Sequence, residues 1–193
     1  MSTRMPTWTF VRHGEAQSNA EGWFAGHVDA PLTPRGREQA VALGEQLRTL
    51  AIDRVLCSDL VRARQTAELA LAGRGLPIEY SAALRERHGG AWERRTLEDL
   101  DRSGDMQRLM GFDGAPPDGE SLRQVARRVL GYLVTREAPG HTLVVAHGAL
   151  MRGVVGVLDD IPMAEYGRWR PSNCELVTRT LSPGTLATLL SRL

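Results

Sequence analysis

Two short apolar segments of the chain each end in a histidine followed by a glycine. Arg12, His13 and Gly14 follow "TWTFV", and His147 and Gly148 follow "TLVVA". A turn requires the glycine, which also lets a backbone approach a ligand closely, but it requires neither arginine nor histidine. Neutral imidazole is a nucleophile, and guanidinium groups bind phosphate oxygens through paired hydrogen bonds. The two segments therefore indicate phosphoryl chemistry, with simple turn formation as the alternative for both glycines.

A further arginine belongs to the same predicted site. Arg62 lies in the first turn of the helix predicted after Ser58, whereas Arg64 fits a solvated face of that helix. The chain has 24 basic residues other than histidine, and all are arginine, so any anion site must use guanidinium, imidazole and backbone N–H groups. No carboxylate cluster or zinc-binding spacing occurs in the sequence. We therefore expect a cationic cradle for a phosphoryl group that needs no metal and no cofactor.

The elements that position these residues alternate between strands and helices. Strands are predicted at "TWTFVR", "DRVLCS", "PIEYS" and "HTLVVAHG", and the helices between them begin at N-caps such as Thr33 and Ser121. This alternation is typical of an α/β fold with a largely parallel sheet. The C-terminal segment, "CELVTRTLSPGTLATLLSRL", predicts a hairpin around its Ser-Pro-Gly turn. Residues 85–120 read as an irregular insertion.

The order of these elements brings the polar residues together. Arg12, His13, Ser58 and His147 each come at the carboxyl end of a predicted strand. Ligands of open α/β sheets bind beyond the carboxyl ends of the strands. The start of the helix after His147 could also bind an anion through its free N–H groups, so we include Gly148 as a substrate contact. The predicted site therefore lies at one edge of one sheet.

Five segments, taken in order, resemble the histidine phosphatase superfamily, in its phosphoglycerate-mutase-like branch. They are "VRHGEAQSN", "PLTPRGREQA", "SDLVRARQTA", "LRERHGGAWE" and "VVAHGALMR". The resemblance extends over nearly the whole chain. It implies one domain over residues 1–193, folded as a three-layer α/β/α sandwich around a mostly parallel sheet with an antiparallel edge. The insertion at about 85–120 would then form part of the pocket cover.

The resemblance also implies roles for individual residues. His13 would be the phosphorylated nucleophile and Glu86 the proton donor. Phosphate would be bound by Arg12, Asn19, Arg62 and His147, and the substrate by Gly26 and Arg87, with a solvated side chain as the alternative for Arg87. Neighbouring cations disfavour the imidazolium form, so the arginines also keep a histidine nucleophilic. A carboxyl group beside a phosphate dianion favours its protonated form, which suits an acid that later acts as a base.

Several residues remain open at this point. Glu15 and Glu93 are rivals to Glu86 as the acid, although we favour a structural hydrogen bond for Glu15. The family often continues "WEG" where this chain has "WER" at 92–94. Four further side chains could line the pocket mouth, but packing in the core or a lid is the preferred interpretation for each: Trp23, His27, Trp92 and Phe112.

The reaction predicted is hydrolysis of a small phosphorylated metabolite through a phosphohistidine. The alternatives are a cofactor-dependent phosphoglycerate mutase and a non-catalytic module that binds a phosphorylated ligand. Mutases of the family carry a longer segment after the acid and a lysine that this chain lacks, although Arg94 and Arg95 could replace it. "PPDGES", at 116–121, resembles the phosphatase-type segment. We therefore favour the phosphatase.

Composition excludes several other classes of function. The net charge of +1 gives no basic field for nucleic acid or for an acidic membrane surface. The most apolar stretch contains His147 and Arg152, which argues against a membrane span. The two cysteines do not form a metal-binding or disulfide pattern, and no signal peptide is evident. A cytoplasmic enzyme with a small-molecule substrate is expected, and homodimer formation stays open.

Overall fold

The computed structural model describes residues 4–109, 111–162, 165–166 and 169–193. Five strands form a single sheet: β1 (Pro6–Arg12), β2 (Arg54–Ser58), β3 (Ile78–Ser81), β4 (Gly140–Ala146) and β5 (Leu176–Thr180). Their order is β3-β2-β4-β1-β5. The first four are parallel, and β5 pairs with β1 in the antiparallel direction. The predicted mostly parallel sheet with an antiparallel edge is confirmed.

Seven α-helices accompany the sheet in the described residues. They are α1 (Gln17–Ala20), α2 (Pro34–Leu47), α3 (Val61–Ala70), α4 (Leu97–Arg102), α5 (Leu122–Val134), α6 (Gly148–Leu158) and α7 (Thr185–Leu190). Short 3₁₀ turns occur at Ala82–Leu84, Gly90–Trp92 and Asp105–Leu109. None of the helices in these residues is long and apolar enough to cross a bilayer.

Helices cover both faces of the sheet because successive strand residues point to opposite sides. Trp8 and Phe10 of β1 join the core on the side of α5, α6 and α7, while Val11 joins the core on the side of α2 and α3. All seven residues of the central strand β4 are buried, as expected for a parallel strand covered on both faces. The layers are therefore helix, sheet and helix, as the sequence predicts.

The predicted helix starts at Thr33 and Ser121 are confirmed. The Thr33 hydroxyl accepts a hydrogen bond from the Gly36 N–H at 3.0 Å, and Pro34 occupies the first helical position of α2. At α5, the Ser121 hydroxyl accepts from the N–H of Gln124, whose side chain accepts in return from the Ser121 N–H at 2.7 Å. Each cap satisfies donors that a helix start leaves free.

The predicted C-terminal hairpin is wrong in its second half. The first half forms β5, but the chain then enters α7 after Gly184, whose φ of +80° makes the turn. Leu186 is buried in the core next to α5, and Leu189, Leu190 and Leu193 pack against the same cluster. These four leucines have helical spacing, at i, i+3, i+4 and i+7. That spacing prevails over the weak alternation in the sequence.

The segment at 85–120 covers one side of the strand-end region. It contains the 3₁₀ turns at Gly90–Trp92 and Asp105–Leu109 and the short helix α4, and residue 110 lies outside the described residues. Buried Trp92, Leu100 and Phe112 anchor it to the rest of the molecule. The segment is irregular, as expected, because short apolar anchors rather than regular backbone pairing hold it.

Candidate active site

His13 lies directly after β1 and is 3% exposed. Its backbone N–H donates to the Ala146 carbonyl oxygen of β4 at 2.9 Å, which fixes the turn to the centre of the sheet. In the side chain, Nδ1 lies 2.6 Å from the Gly14 carbonyl oxygen. A carbonyl oxygen can only accept, so Nδ1 carries the proton in this hydrogen bond and Nε2 keeps a free lone pair. His13 is therefore held in the tautomer that a nucleophile requires.

The surroundings of His13 keep its ring neutral. Burial lowers the pKa of His13 well below 6.5, and the charges of Arg62 and Arg12 lower it further. The arginines act as the sequence argument proposed, but burial is the larger cause. A neutral imidazole at ordinary pH is the reactive form for attack at phosphorus.

Two guanidinium groups flank His13 and are fixed by backbone carbonyls. Arg62, at 1% exposure, donates from Nη1 to the Val28 oxygen at 3.0 Å and from Nη2 to the Gly26 oxygen at 2.8 Å. Arg12 donates from Nη1 to the Pro171 oxygen at 2.7 Å, and its buried Nε makes no hydrogen bond within the described residues. Both guanidinium groups are thus oriented before any ligand arrives, which is how a preorganised anion site is built.

His147 faces His13 across the end of the sheet, with ring centroids 5.1 Å apart. Its Nε2 lies 2.7 Å from the Ser58 hydroxyl, which also accepts from the Leu60 N–H at 3.3 Å. When the hydroxyl donates its proton to Nε2, the proton of His147 lies on Nδ1; in the opposite tautomer Nε2 would be the donor. That Nδ1 is buried and has no partner in the described residues. Burial lowers the pKa of His147 well below 6.5, so a neutral ring offers one N–H donor.

Glu86 lies over the start of α6. Its Oε1 accepts from the N–H groups of Arg87 at 2.8 Å and Leu150 at 3.2 Å, and its Oε2 accepts from the Ala149 N–H at 3.1 Å. The free N–H groups of a helix start are a natural partner for a carboxylate. The same side chain lines the pocket that contains His13 and Arg62. The structure therefore places the Glu86 carboxylate in the same pocket as His13.

The pocket itself has a volume of about 160 Å³. Asn19 lines it from α1, with its Oδ1 accepting from the Ala16 N–H at 3.0 Å. Gly26 lines it from the next loop with a φ of +49°. A side chain at Gly26 would collide with the Glu93 carboxylate at 2.3 Å. The structure thus brings both residues to the pocket containing His13.

The two predicted glycine roles differ in the structure. A Cβ at Gly14 would lie 2.4 Å from the Gly36 oxygen, so Gly14 is needed for close packing of the turn on α2. Gly148 begins α6 and lines a cavity with Arg12 and Arg152, next to the pocket of His13. Of the two, Gly148 is the glycine that could face a ligand.

The rival acids are both engaged in structural contacts. Glu15 accepts from the Thr33 hydroxyl at 2.8 Å and pairs with Arg35 at 3.6 Å, outside the pocket. Glu93 accepts from the backbone N–H groups of His27 at 2.8 Å and Gly89 at 3.1 Å. Each carboxylate holds a loop, and Glu86 is the carboxylate among the pocket-lining residues.

The aromatic candidates divide between pocket and packing. Trp23 lines the pocket together with Phe24, which the sequence argument did not single out. Trp92 is buried and lies 6.4 Å from Phe24, measured between ring centroids. Phe112 stacks with Tyr166 at 4.4 Å. His27 donates from its side chain to the Glu86 carbonyl oxygen at 2.8 Å, which helps to hold the loop that carries Glu86.

Sequence reasoning missed two residues of this region. Arg152 lines the pocket from α6, where it stands one helical turn after Gly148. That four-residue spacing was the available signal, because it places Arg152 on the same helix face as the residue at the helix start. Asn173 donates from Nδ2 to the His13 carbonyl oxygen at 2.9 Å. Asn173 comes from a distant loop, and no local sequence pattern indicates that it contacts His13.

This arrangement can be compared with known proteins. Residues 8–191 match the Histidine phosphatase superfamily (branch 1). The chain is 38% identical over 173 residues to the "Probable phosphoglycerate mutase GpmB" of Citrobacter koseri, which covers 86% of this chain and 80% of that protein. The corresponding protein of Salmonella arizonae is 36% identical over the same shares. The chain therefore belongs to the histidine phosphatase superfamily.

Solved structures with the same fold include several phosphatases. A mycobacterial glucosyl-3-phosphoglycerate phosphatase, in complex with VO₃, is 27% identical with a TM-score of 0.82, covering 89% of this chain and 91% of that chain. The α-ribazole phosphatase of Shigella flexneri is 29% identical with a TM-score of 0.80, covering 92% and 91%. Bacillus stearothermophilus YhfR is 28% identical with a TM-score of 0.84, covering 93% of each chain. Relatives and fold together define an enzyme of the phosphatase and mutase class.

Proposed function

We propose that the protein is a phosphomonoesterase that works through a phosphohistidine at His13. The observation that carries the proposal is the hydrogen bond of 2.6 Å from His13 Nδ1 to the Gly14 oxygen, made in a buried setting between Arg12 and Arg62. It leaves Nε2 unprotonated in a side chain that lines the same pocket as two oriented guanidinium groups. A nucleophile and a charge-stabilising anion site are the two requirements of phosphoryl transfer.

In the first step, the Nε2 lone pair of His13 attacks phosphorus and the phosphorus–oxygen bond to the leaving group breaks. The leaving oxygen takes a proton from the Glu86 carboxyl group. Arg12, Arg62 and the Nδ1–H of His147 stabilise the charge on the phosphoryl oxygens, and the side-chain amide of Asn19 contacts the same group.

In the second step, a water oxygen attacks phosphorus. Glu86, now a carboxylate, takes one proton of that water, and the phosphorus–nitrogen bond breaks. His13 returns to its neutral form, and inorganic phosphate leaves. Glu86 thus ends protonated, ready for the next ester, so the cycle needs no external acid or base.

The mutase is the second candidate, because the curated relatives cited above are named probable phosphoglycerate mutases. Two contacts favour the hydrolase. Arg95 pairs with Asp105 at 3.0 Å, and Arg94 lies over the ring of Trp23 at 5.9 Å. Neither arginine is among the residues that line the pocket, and Arg95 is held away from it by its ion pair, whereas Arg94 lies next to the pocket-lining Trp23.

The test supplies 3-phosphoglycerate and measures both inorganic phosphate and 2-phosphoglycerate, with and without 2,3-bisphosphoglycerate. A phosphatase releases phosphate, whereas a mutase forms the isomer in preference. His13→Ala should show neither product and no acid-labile radiolabel.

Exhaustive EDTA treatment should leave turnover unchanged, since arginines supply the cationic charge; loss of turnover that magnesium restores would overturn the metal-free mechanism.

A further inference from the structure

A second cavity of about 380 Å³ adjoins the pocket of His13. The two cavities share four wall residues: Phe24, Arg87, Leu97 and Arg152. Beyond them, the second cavity continues to Arg170 and to apolar side chains of the 85–120 segment such as Met106 and Leu109. A substrate whose phosphoryl group lies at His13 would therefore extend its leaving group into the second cavity, which is lined by Arg87, Arg152 and Arg170.

Arg87 is buried without the partners that a buried cation requires. The residue is 3% exposed, and its side-chain Nε and Nη1 make no hydrogen bond within the described residues. Its guanidinium lies 5.8 Å from the ring centroid of Phe24, which gives only a weak cation–π contact. An unpaired buried charge is costly unless something compensates it. An anionic ligand would supply that compensation.

Arg152 and Arg170 extend the same positive region. Arg152 is half-buried and Arg170 is exposed, both line the second cavity, and neither side chain makes a hydrogen bond or ion pair in the described part of the chain. Burial lowers the pKa of Arg87 to about 10, the charge of Arg152 lowers it further, and the charges of Glu86 and Glu120 oppose the shift. Burial also lowers the pKa of Arg152, where repulsion from Arg170 and Arg12 is opposed by Glu86. The guanidinium groups are thus close enough to repel one another.

The phosphoryl group alone does not compensate this charge. Arg12 and Arg62 already flank His13, where a dianionic phosphoryl group would balance them. Glu86 is the carboxylate of the first pocket, and Asp101 is the acidic residue that lines the second. Three arginines lie on that wall, so it remains positive with the phosphoryl group bound.

We infer that Arg87, Arg152 and Arg170 form a second anion site, and that the substrate is a phosphomonoester whose leaving group carries a carboxylate or another phosphate. The inference rests on the proposed function for the position of the first phosphoryl group. Guanidinium groups bind both anions through paired hydrogen bonds. Phe24, Leu97 and Met106 would pack against the carbon skeleton between the two anionic groups.

The experiment compares matched esters that differ by one anionic group. Glycerol 3-phosphate and 3-phosphoglycerate differ by a carboxylate, and fructose 6-phosphate and fructose 1,6-bisphosphate differ by a phosphate. The wild-type enzyme should prefer the more anionic member of at least one pair by about tenfold or more in kcat/KM, and the preferred pair identifies the second anion. Arg152→Gln should reduce that ratio toward one, and Arg152→Glu should reverse it.

Arg48→Gln is the matched control, because Arg48 is an exposed arginine at the far end of α2 that pairs with Glu45. It should keep both the ratio and the activity of the wild type. Equal kcat/KM values within both pairs would overturn the second anion site while leaving the phosphatase intact. A ratio that Arg152→Gln and Arg152→Glu leave unchanged would also overturn it.

A binding measurement separates the two proposals. Calorimetry with His13→Ala, which cannot form the phosphoenzyme, should show the more anionic ester of the preferred pair binding about tenfold more tightly, and Arg152→Gln in the same background should lose that difference. If no ester is hydrolysed but this binding difference is found, the second anion site stands and the phosphatase proposal falls. If every member of both pairs binds with equal affinity, the second anion site falls whatever the turnover.

Discussion

In the proposed reaction, the Glu86 carboxylate must both accept backbone hydrogen bonds and exchange a proton with the same two oxygens. Oε1 accepts two backbone hydrogen bonds, from Arg87 and Leu150, whereas Oε2 accepts one, from Ala149. Oε2 therefore retains a lone pair that can carry the proton for the leaving group. In the proposed reaction, the backbone holds the side chain through Oε1, while Oε2 exchanges the proton. One residue can thus be both rigidly placed and chemically active.

We predict that Glu86→Gln slows hydrolysis of an alkyl phosphate much more than hydrolysis of p-nitrophenyl phosphate. An alkoxide leaves as a strong base and needs the proton, whereas p-nitrophenolate needs little help. General acid catalysis contributes about 10²–10⁴-fold, so the two esters should differ by one to two decades in their loss of kcat. The measurement is steady-state kinetics with both esters.

Phosphohistidine should also accumulate in Glu86→Gln when the aryl ester is used, because the second step lacks its base. Quenched samples analysed for acid-labile phosphate will show this. Equal slowing of both esters without any accumulation would mean that Glu86 binds substrate or holds its loop. Glu15 and Glu93 would then be the next acids to test.

In the proposed reaction, Ser58 acts through its hydrogen bond to His147 Nε2 and does not contact the substrate. We predict that Ser58→Ala lowers kcat by about two- to tenfold with a small change in KM, since a hydrogen bond of this kind contributes roughly 0.5–1.5 kcal/mol. The imidazole of His147 would then exchange between tautomers, and the Nδ1–H donor would be present for only part of the time. Nitrogen NMR of the histidine rings checks the cause directly.

In the wild type, the NMR spectrum should show His147 protonated at Nδ1 and His13 protonated at Nδ1 as well. Ser58→Ala should change the signals of His147 alone. A variant with lowered kcat but an unchanged His147 tautomer would contradict the positioning role of Ser58.

At the scale of the elements, the sequence predicts those parts of the site that follow the strands. Arg12, His13 and His147 each come directly after an apolar segment, so their convergence follows from a parallel sheet. Arg62 is predicted for the same reason, one turn into the following helix. Local patterns are sufficient for these residues because the chain order itself places them at one edge.

The parts that could not be predicted depend on contacts between distant segments. Arg152 gains its role from the way α6 lies against the 85–120 segment, and Asn173 reaches the His13 carbonyl from a loop 160 residues away in the chain. The terminal helix α7 is not predicted, because it is stabilised by the packing of its leucines near α5. Packing of this kind leaves little trace in a local pattern.

The N-terminus of α2 supports the turn after His13 as well as its own helix. The Thr33 hydroxyl accepts from the Gly36 N–H and donates to the Glu15 carboxylate. The Thr33 N–H donates to the backbone carbonyl oxygen of Glu15 at 2.9 Å. Residues 14 and 15 are therefore attached to the start of α2, and α2 to the sheet through its buried leucines. A change at this cap should affect both stability and catalysis.

We predict that Thr33→Ala lowers the free energy of unfolding by about 1 kcal/mol, the usual cost of a lost N-cap, and also lowers kcat. Ser121→Ala is the matched control, because it removes a cap of the same kind from α5, whose capping residue does not line the pocket. It should cost a similar free energy without lowering kcat. Urea unfolding and initial rates measure both effects. Equal losses of kcat in the two variants would contradict a specific link between α2 and the nucleophile.

At the scale of the whole molecule, the buried histidines couple catalysis to stability. His13 and His147 are both buried, and burial lowers the pKa of each well below 6.5. Neutral rings suit the proposed phosphoryl transfer. They also mean that, in mildly acidic solution, the unfolded chain binds protons at these histidines that the folded protein does not bind. Burial also lowers the pKa values of His27 and His141, in the same direction.

We predict that the free energy of unfolding is highest above pH 6.5 and falls as the pH decreases from there. Unfolded histidine titrates near pH 6.5, so below that pH the unfolded chain binds more protons than the folded protein does. The free energy then falls by up to about 1.4 kcal/mol per pH unit for each such histidine, until the pH reaches the lowered folded pKa. Paired carboxylates such as Asp59 have folded pKa values below 3.8, and contribute in more acidic solution. The range from pH 7.5 to 5.5 therefore isolates the histidines.

Urea unfolding of the wild type and of His13→Gln/His147→Gln, in phosphate-free buffer, measures the effect. The double variant should show a clearly smaller decrease over this range, and an identical decrease in both proteins would contradict the assignment to the two histidines of the site.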